Sequence, residues 1–333
     1  MSAYPKAVAE GWHPVATLKA LRKGKPLARR LMGKPVVVFQ SADGPAVLLD
    51  RCPHRNMALS RGRVREGAIE CPYHGWRFAQ DGRCVLTPGA EEPARHGATP
   101  LPVIERAGII WTTLAERPNA GPTLPHPIEA DGFDSFWWPI KPTRARLLDA
   151  VENLLDPAHP HFLHPGIVRS GTARNPVEAT VRVAHDYAEA RYIENTQAQA
   201  LMPRVMEGKR VASIGRFFPP STGQVAFENT KGLKLSITVF FVPEADELVR
   251  PLAHLATQSG VIPPIFKEIM LRAFDMVILA QDQLALRRQA EDIAAFGAPK
   301  YAVGPLDVLF PAIHALANGE TPAPSERTLR MML

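Results

Sequence analysis

Two cysteines and two histidines stand in a pattern that can hold metal. Cys52-Pro-His54 forms C-x-H, sixteen residues follow, and Cys71-Pro-Tyr-His74 forms C-x-x-H. Thiolate sulfur and imidazole nitrogen serve zinc as well as iron–sulfur clusters, so residue type alone leaves the metal open. The pairing carries more information. Zinc fingers group Cys with Cys and His with His, whereas each segment here offers one of each. A [2Fe–2S] cluster with two cysteines on one iron and two histidines on the other uses that crossed arrangement. The third cysteine, Cys84, follows the second segment and reads as a small buried apolar residue.

A second polar group follows in Asn153-Leu-Leu-Asp156-Pro-Ala-His159-Pro-His161-Phe162-Leu-His164. Two imidazoles and one carboxylate make a facial triad that leaves positions open on Fe(II), and no thiolate is present to favour another metal. Asp156 followed by Pro157 reads as the N-cap and first residue of a helix. A third ligand can come from the apolar-periodic stretch 266–296, which carries Asp275 and Asp282. Seven residues are nearly two helical turns, so both lie along one face, about 10 Å apart at 1.5 Å per residue. Periodicity does not separate them.

The segments Arg51-Cys-Pro-His-Arg-Asn-Met-Ala-Leu-Ser-Arg-Gly and Cys71-Pro-Tyr-His-Gly-Trp-Arg-Phe closely resemble the two cluster boxes of Rieske oxygenases. The pattern D-x-x-H-x-x-F-x-H from Asp156 to His164 resembles the mononuclear iron box of the same family. Residues from about 10 to 320 fit its short α-subunit type, the vanillate O-demethylase, dicamba monooxygenase and toluenesulfonate monooxygenase group. The run Glu152-Asn-Leu-Leu-Asp-Pro-Ala-His is also similar to the chlorophyll-catabolic branch.

The resemblance implies roles for these residues. Cys52, His54, Cys71 and His74 would ligate a Rieske-type [2Fe–2S] cluster, with Gly75 and Trp76 shaping its surroundings. His159, His164 and Asp282 would hold a mononuclear Fe(II), with His161 pointing elsewhere. Asp282 is preferred because Ala285, Leu286 and Gln289 follow it in the family's order, whereas Asp275 has Asp282 where that glutamine should stand. Arg287 departs from the acidic residue usual at that place. Asp156 would bridge a cluster histidine and an iron histidine along the electron path between subunits, and Asn153, one turn earlier, would lie near the iron.

The implied protein is the oxygenase component of a multicomponent system, a likeness that also implies a homotrimer. Electrons would arrive from NAD(P)H through a separate reductase or ferredoxin. Molecular oxygen would be activated at the iron to hydroxylate or O-/N-demethylate a small aromatic substrate. A cis-dihydroxylating ring dioxygenase is the enzymatic alternative, and a non-catalytic Rieske electron carrier is the alternative of another class.

These sites must be positioned by elements that the sequence also outlines. The chain has 333 residues, 46% apolar and 22% charged, an ordinary globular balance with room for two domains. Three cysteines exclude a disulfide scaffold and suit a reducing compartment. No stretch has 18 consecutive apolar residues and the N-terminus has no apolar run behind a basic start, so a membrane span or a secretory signal is not expected and the cytoplasm is. The net charge of +6 suits an acidic electron donor near Arg51, Arg55, Arg61, Arg63 and Arg65, or simply a solvated basic face; no nucleic acid is indicated. Residues 35–50 read as a hairpin and the first third as short antiparallel strands. Residues 117–135, rich in Pro, Gly and Asp, suggest a boundary. Beyond it a helix is expected over 147–155, six alternating runs between 177 and 257, and a long helix from Pro263 to Phe296. The expected fold is therefore α+β: an all-β Rieske domain over 1–135, then a catalytic domain over 136–333 with an antiparallel sheet flanked by helices, helix-grip-like. Phe217, Phe240 and Ile262 are expected near the substrate pocket.

Overall fold

The computed structural model describes residues 4–22, 24–167, 174–193 and 208–333. The chain divides into two compact units. Residues 8–122 with 242–246 make the body of one, and residues 123–241 with 247–333 the body of the other.

The first unit is built from small antiparallel sheets, because its apolar runs are short, β-branched and punctuated by turns. Lys34–Ser41 and Gly44–Leu49 form the expected hairpin, closed where Ser41 pairs with Gly44, and Leu27–Leu31 adds a third strand. Val36, Val37, Val38 and Phe39 are all fully buried, so this strand is covered on both faces. A second sheet joins Arg63–Arg65, Ala68–Glu70, Arg77–Phe78 and Cys84–Leu86. Its core packs Phe39, Leu48, Leu59, Ile69 and Phe78 around Cys52, Cys71 and Cys84. Cys84 is thus the small buried side chain that its sequence position suggested. A third sheet pairs His13–Thr17, Ile109–Thr112 and Val103–Arg106.

The second unit centres on a nine-stranded antiparallel sheet. Its order is Phe133–Pro139, Leu248–Gln258, Gly232–Ala245, Thr222–Asn229, Ala212–Phe218, Ala188–Ile193, Pro176–Val183 and Ser325–Met332, with Thr143–Arg144 alongside Leu248–Gln258. The six expected runs all form strands; residue 194, the end of one run, lies outside the described residues. Phe133–Pro139 lies across the position where the sequence suggested a boundary. Ser325–Met332 was not anticipated, because most of its side chains are exposed on the sheet edge and leave no apolar alternation to read.

The long helix spans Pro264–Phe296. Pro264 supplies a preset φ in the first turn, and Gly297 ends the helix in the left-handed region at φ 83°. Leu271 packs against Leu235 and Leu255 of the sheet. Among the described residues, no helix is long and apolar enough to cross a membrane.

Phe217 is fully buried in the sheet and Phe240 packs against Trp137 at 5.9 Å, whereas Ile262 is half exposed. None of the three lines the cavity described below, which corrects their expected placement: Phe217 and Phe240 stand on sheet strands, whose two faces the pattern does not tell apart, and Ile262 lies in the exposed segment before the long helix. Replacing Phe217 by Ala is expected to destabilise the fold by roughly 3–5 kcal/mol, read as a shift in the urea midpoint.

Candidate functional site

The two cluster segments fold into loops built to one plan. In the first, the Cys52 amide donates to the Met57 carbonyl at 2.8 Å, and the Asn56 amide donates to the Cys52 carbonyl at 2.9 Å. In the second, the Cys71 amide donates to the Trp76 carbonyl at 2.8 Å, and the Gly75 amide donates to the Cys71 carbonyl at 3.1 Å. The residue four beyond each cysteine is in the left-handed region, Asn56 at φ 60° and Gly75 at φ 72°. Asn tolerates that conformation and Gly favours it, so these two residues let the chain double back. Asn56 also accepts from Arg51 Nε at 2.6 Å; it was not singled out from the sequence, though its place four residues past a cysteine was the available signal.

The loops bring their predicted ligands together in two pairs. Cys52 and Cys71 are buried, and their thiols lie within hydrogen-bonding range of one another. Burial pushes the Cys52 thiol up to about 11. The His54 and His74 rings are 4.5 Å apart between centroids, and Trp76 stacks on His54 at 4.6 Å, nearly parallel. Burial, and then the neighbouring His74, hold His54 below the ordinary histidine range. His54 Nδ1 is buried without a hydrogen-bond partner in the protein.

Glu70, immediately before Cys71, anchors the second loop. Arg63 Nε and Arg77 Nε donate to its two carboxylate oxygens at 2.7 and 2.8 Å, and Arg65 lies within 3.9 Å. Burial alone would raise this carboxyl, but the bonds from Arg77 and Arg63 outweigh it and hold it below the ordinary value of 4.5.

The second group converges in the other unit. Asp156 is the C-cap of the helix Leu147–Leu155, and the next helix, Pro160–Leu163, begins after His159. The expected helix start at Asp156-Pro157 is therefore corrected. Asp156 instead caps a turn, accepting from the Ala158 amide at 2.7 Å and the His159 amide at 3.1 Å. Burial disfavours the Asp156 charge, but the bonds from His159 and Ala158 outweigh it, and the group stands below the ordinary carboxyl range.

His159, His164 and Asp282 place one ligand atom each within 4.8 Å of one another. His159 Nδ1 donates to the Asp156 carbonyl at 3.0 Å, and His164 Nδ1 donates to Gln281 Oε1 at 2.7 Å. A carbonyl only accepts, so each Nδ1 carries the proton and each Nε2 is left with a lone pair. Both Nε2 atoms face Asp282 Oδ1, from 3.6 Å for His159 and 3.1 Å for His164. Two lone pairs and an anionic oxygen directed at one point attract a cation. Burial disfavours a charged His164, but Asp282 and Gln281 outweigh it and hold the group above the ordinary histidine range.

This triad sits in a cavity of about 200 Å³ whose walls are mostly apolar, including Phe227, Leu235, Ile237 and Phe274. Asp275 lines the same cavity but is outside the triad. Asn153 is half-buried on its helix and does not line the cavity, whereas its neighbour Leu154 does. Gln281 was missed in the sequence, since the residue next to a predicted ligand on a helix carries no motif of its own.

The profile of the Rieske [2Fe-2S] domain matches residues 11–105, and that of the vanillate O-demethylase oxygenase C-terminal domain matches residues 143–307. The chain belongs to the Rieske oxygenase family. Among its relatives, the chloroacetanilide N-alkylformylase oxygenase component of Rhizorhabdus wittichii is 34% identical over 170 residues, 48% of this chain and 47% of that protein. Methylxanthine N1-demethylase NdmA of Pseudomonas putida is 31% identical over 169 residues, 46% of this chain and 47% of that protein. The chain thus spans at most about half the length of these curated relatives. The structure of dicamba monooxygenase bound to dicamba shares the fold, with a TM-score of 0.79, 22% identity, and coverage of 94% of this chain and 97% of that one.

A Rieske domain implies a [2Fe–2S] cluster, and the oxygenase family uses a mononuclear non-heme iron. The residues of this Rieske oxygenase chain fit both groups. Two buried thiols and a buried histidine nitrogen without a partner suit the cluster, and two oriented Nε2 lone pairs with a carboxylate suit the iron.

Replacing Gln281 by Ala frees the His164 ring and is expected to weaken iron binding about 10- to 100-fold, read as iron retained against a chelator with the cluster absorption unchanged. Glu70→Gln should destabilise the fold by about 1.5–3 kcal/mol at neutral pH. Because the folded carboxyl is held low, its contribution is present above the ordinary glutamate value and lost as pH falls below it. Wild type and variant should therefore converge in stability towards acid, as pH-dependent urea unfolding would show.

Proposed function

We propose that this chain is the oxygenase component of a multicomponent Rieske system. On this reading Cys52, His54, Cys71 and His74 hold the cluster, and His159, His164 and Asp282 hold the iron. Bound there, the iron supplies the activation of O2. Asp156 would bridge a cluster histidine of one subunit and His159 of its neighbour; within the chain its carbonyl accepts from His159 Nδ1, and its half-buried carboxylate accepts from two amides. Electrons come from NAD(P)H through a separate reductase or ferredoxin, and the chain assembles as a homotrimer.

The observation that carries the reading is the convergence of three metal-binding atoms on one side of an otherwise apolar cavity. An electron carrier has no use for such a chamber. The walls orient a small substrate by shape and exclude water, and the protein's share of the chemistry is positioning. The cavity suits a small aromatic substrate that is hydroxylated or O-/N-demethylated. The names of relatives support that class: a methylxanthine N1-demethylase, a chloroacetanilide N-alkylformylase and a putative toluene-4-sulfonate monooxygenase subunit.

Purified anaerobically, the protein should show Rieske absorption and bind one further iron per chain. With a reductase and a panel of methoxylated aromatic acids, sulfonates and N-methyl compounds, it should yield a product of altered mass. Asp282→Ala should keep the cluster absorption, lose the additional iron and abolish turnover. Retained iron and turnover in that variant would move the carboxylate role to Asp275, and a colourless protein would refute both iron assignments.

A further inference from the structure

The oxygenation proposed above consumes protons that its cavity does not readily supply. Written in balance, RH + O2 + 2e− + 2H+ gives ROH + H2O, with both electrons coming from the NAD(P)H-dependent donor. Besides the three triad residues, the only ionisable side chains lining the cavity among the described residues are Arg210 and Asp275.

A second cavity of about 100 Å³ lies behind His159, which it shares with the first along with Pro160 and Arg210. Asp156, Tyr192 and Ser213 line its other side. Tyr192 stands on the strand Ala188–Ile193, is 3% exposed, and its hydroxyl is buried with no hydrogen-bond partner in the protein. Burial, and then the charge of Asp156, push its phenol up, so the group keeps its proton at any working pH. Each Asp156 oxygen accepts one amide and retains a second lone pair. A buried hydroxyl left without a partner carries a desolvation penalty that ordered water removes. A single water needs about 10–15 Å³, so this chamber of about 100 Å³ has room for several.

We propose that the chamber holds ordered water anchored by Tyr192, which donates through that water to the Asp156 carboxylate, and that this water relays the two protons of oxygenation from bulk solvent past His159. Tyr192 is then a positioning residue: it does not titrate, and it acts by keeping the water chain in place. The inference rests on the oxygenase reading for its proton role, while the hydration of the chamber stands by itself.

High-resolution crystal structures of the metal-loaded wild type and Tyr192→Phe test the hydration. The expected result is a water within hydrogen-bond distance of both Tyr192 Oη and the Asp156 carboxylate in wild type, absent from the variant. A dry wild-type chamber overturns the proposal, even if the variant does not fold. In turnover with the panel compound converted fastest, Tyr192→Phe should keep its iron and cluster content but lose about tenfold in product formed per O2 consumed. Hydrogen peroxide should rise in its place, and the solvent deuterium isotope effect on product formation should increase. Unchanged coupling and isotope effect in a fully loaded variant overturn the proton role. A wild type that makes no product refutes the oxygenase reading instead, and the water structure is then judged from the crystals alone.

Discussion

Everything at the His159–His164–Asp282 triad depends on where two protons sit. An imidazole can turn either nitrogen inward, and it can hold a metal only through the nitrogen left without a proton. Here the Asp156 carbonyl and the Gln281 side chain each accept from an Nδ1–H, which commits both Nε2 atoms to the Asp282 side. The first acceptor is main chain, placed by a helix that ends at Leu155. The second stands beside Asp282 on the long helix, so one element supplies both Asp282 and the hydrogen-bond partner of His164. The nine-stranded sheet and its helix packing hold these two elements in fixed register, which side-chain interactions alone would not do.

The cluster loops meet the same requirement by different means. There the backbone does the orienting, through paired amide–carbonyl bonds around each cysteine, and the arginines on Glu70 tie the second loop to its sheet. A carboxylate with several guanidinium partners is costly to desolvate yet well satisfied once it is in place, so it fixes geometry more than it adds stability.

Much of this was legible in the residues. The spacing of Cys52, His54, Cys71 and His74 marked two loops, and the alternating runs marked six strands of the large sheet, because ligand spacing and period-2 burial are local properties. The choice between Asp275 and Asp282 was not local. Both lie on the same helix face and both reach the same cavity, and only the approach of His159 and His164 distinguishes them in space. Gln281, Tyr192 and the edge strand Ser325–Met332 were illegible for a related reason: each takes its role from a neighbour distant in sequence. Asp156 was read as a helix start because Asp-Pro usually is one, whereas the chain uses its carboxylate to cap a turn between two helices.

The matched backbone of the two cysteine loops has a consequence for the rate of electron exchange. Amide–carbonyl bonds within each loop hold the main chain on both sides of its cysteine, and would do so whatever the charge of a group bound there. A donor shell that barely moves when an electron arrives has a small reorganisation energy. Exchange can then be fast with little driving force, and the potential can be tuned by neighbours such as Trp76 without slowing the transfer.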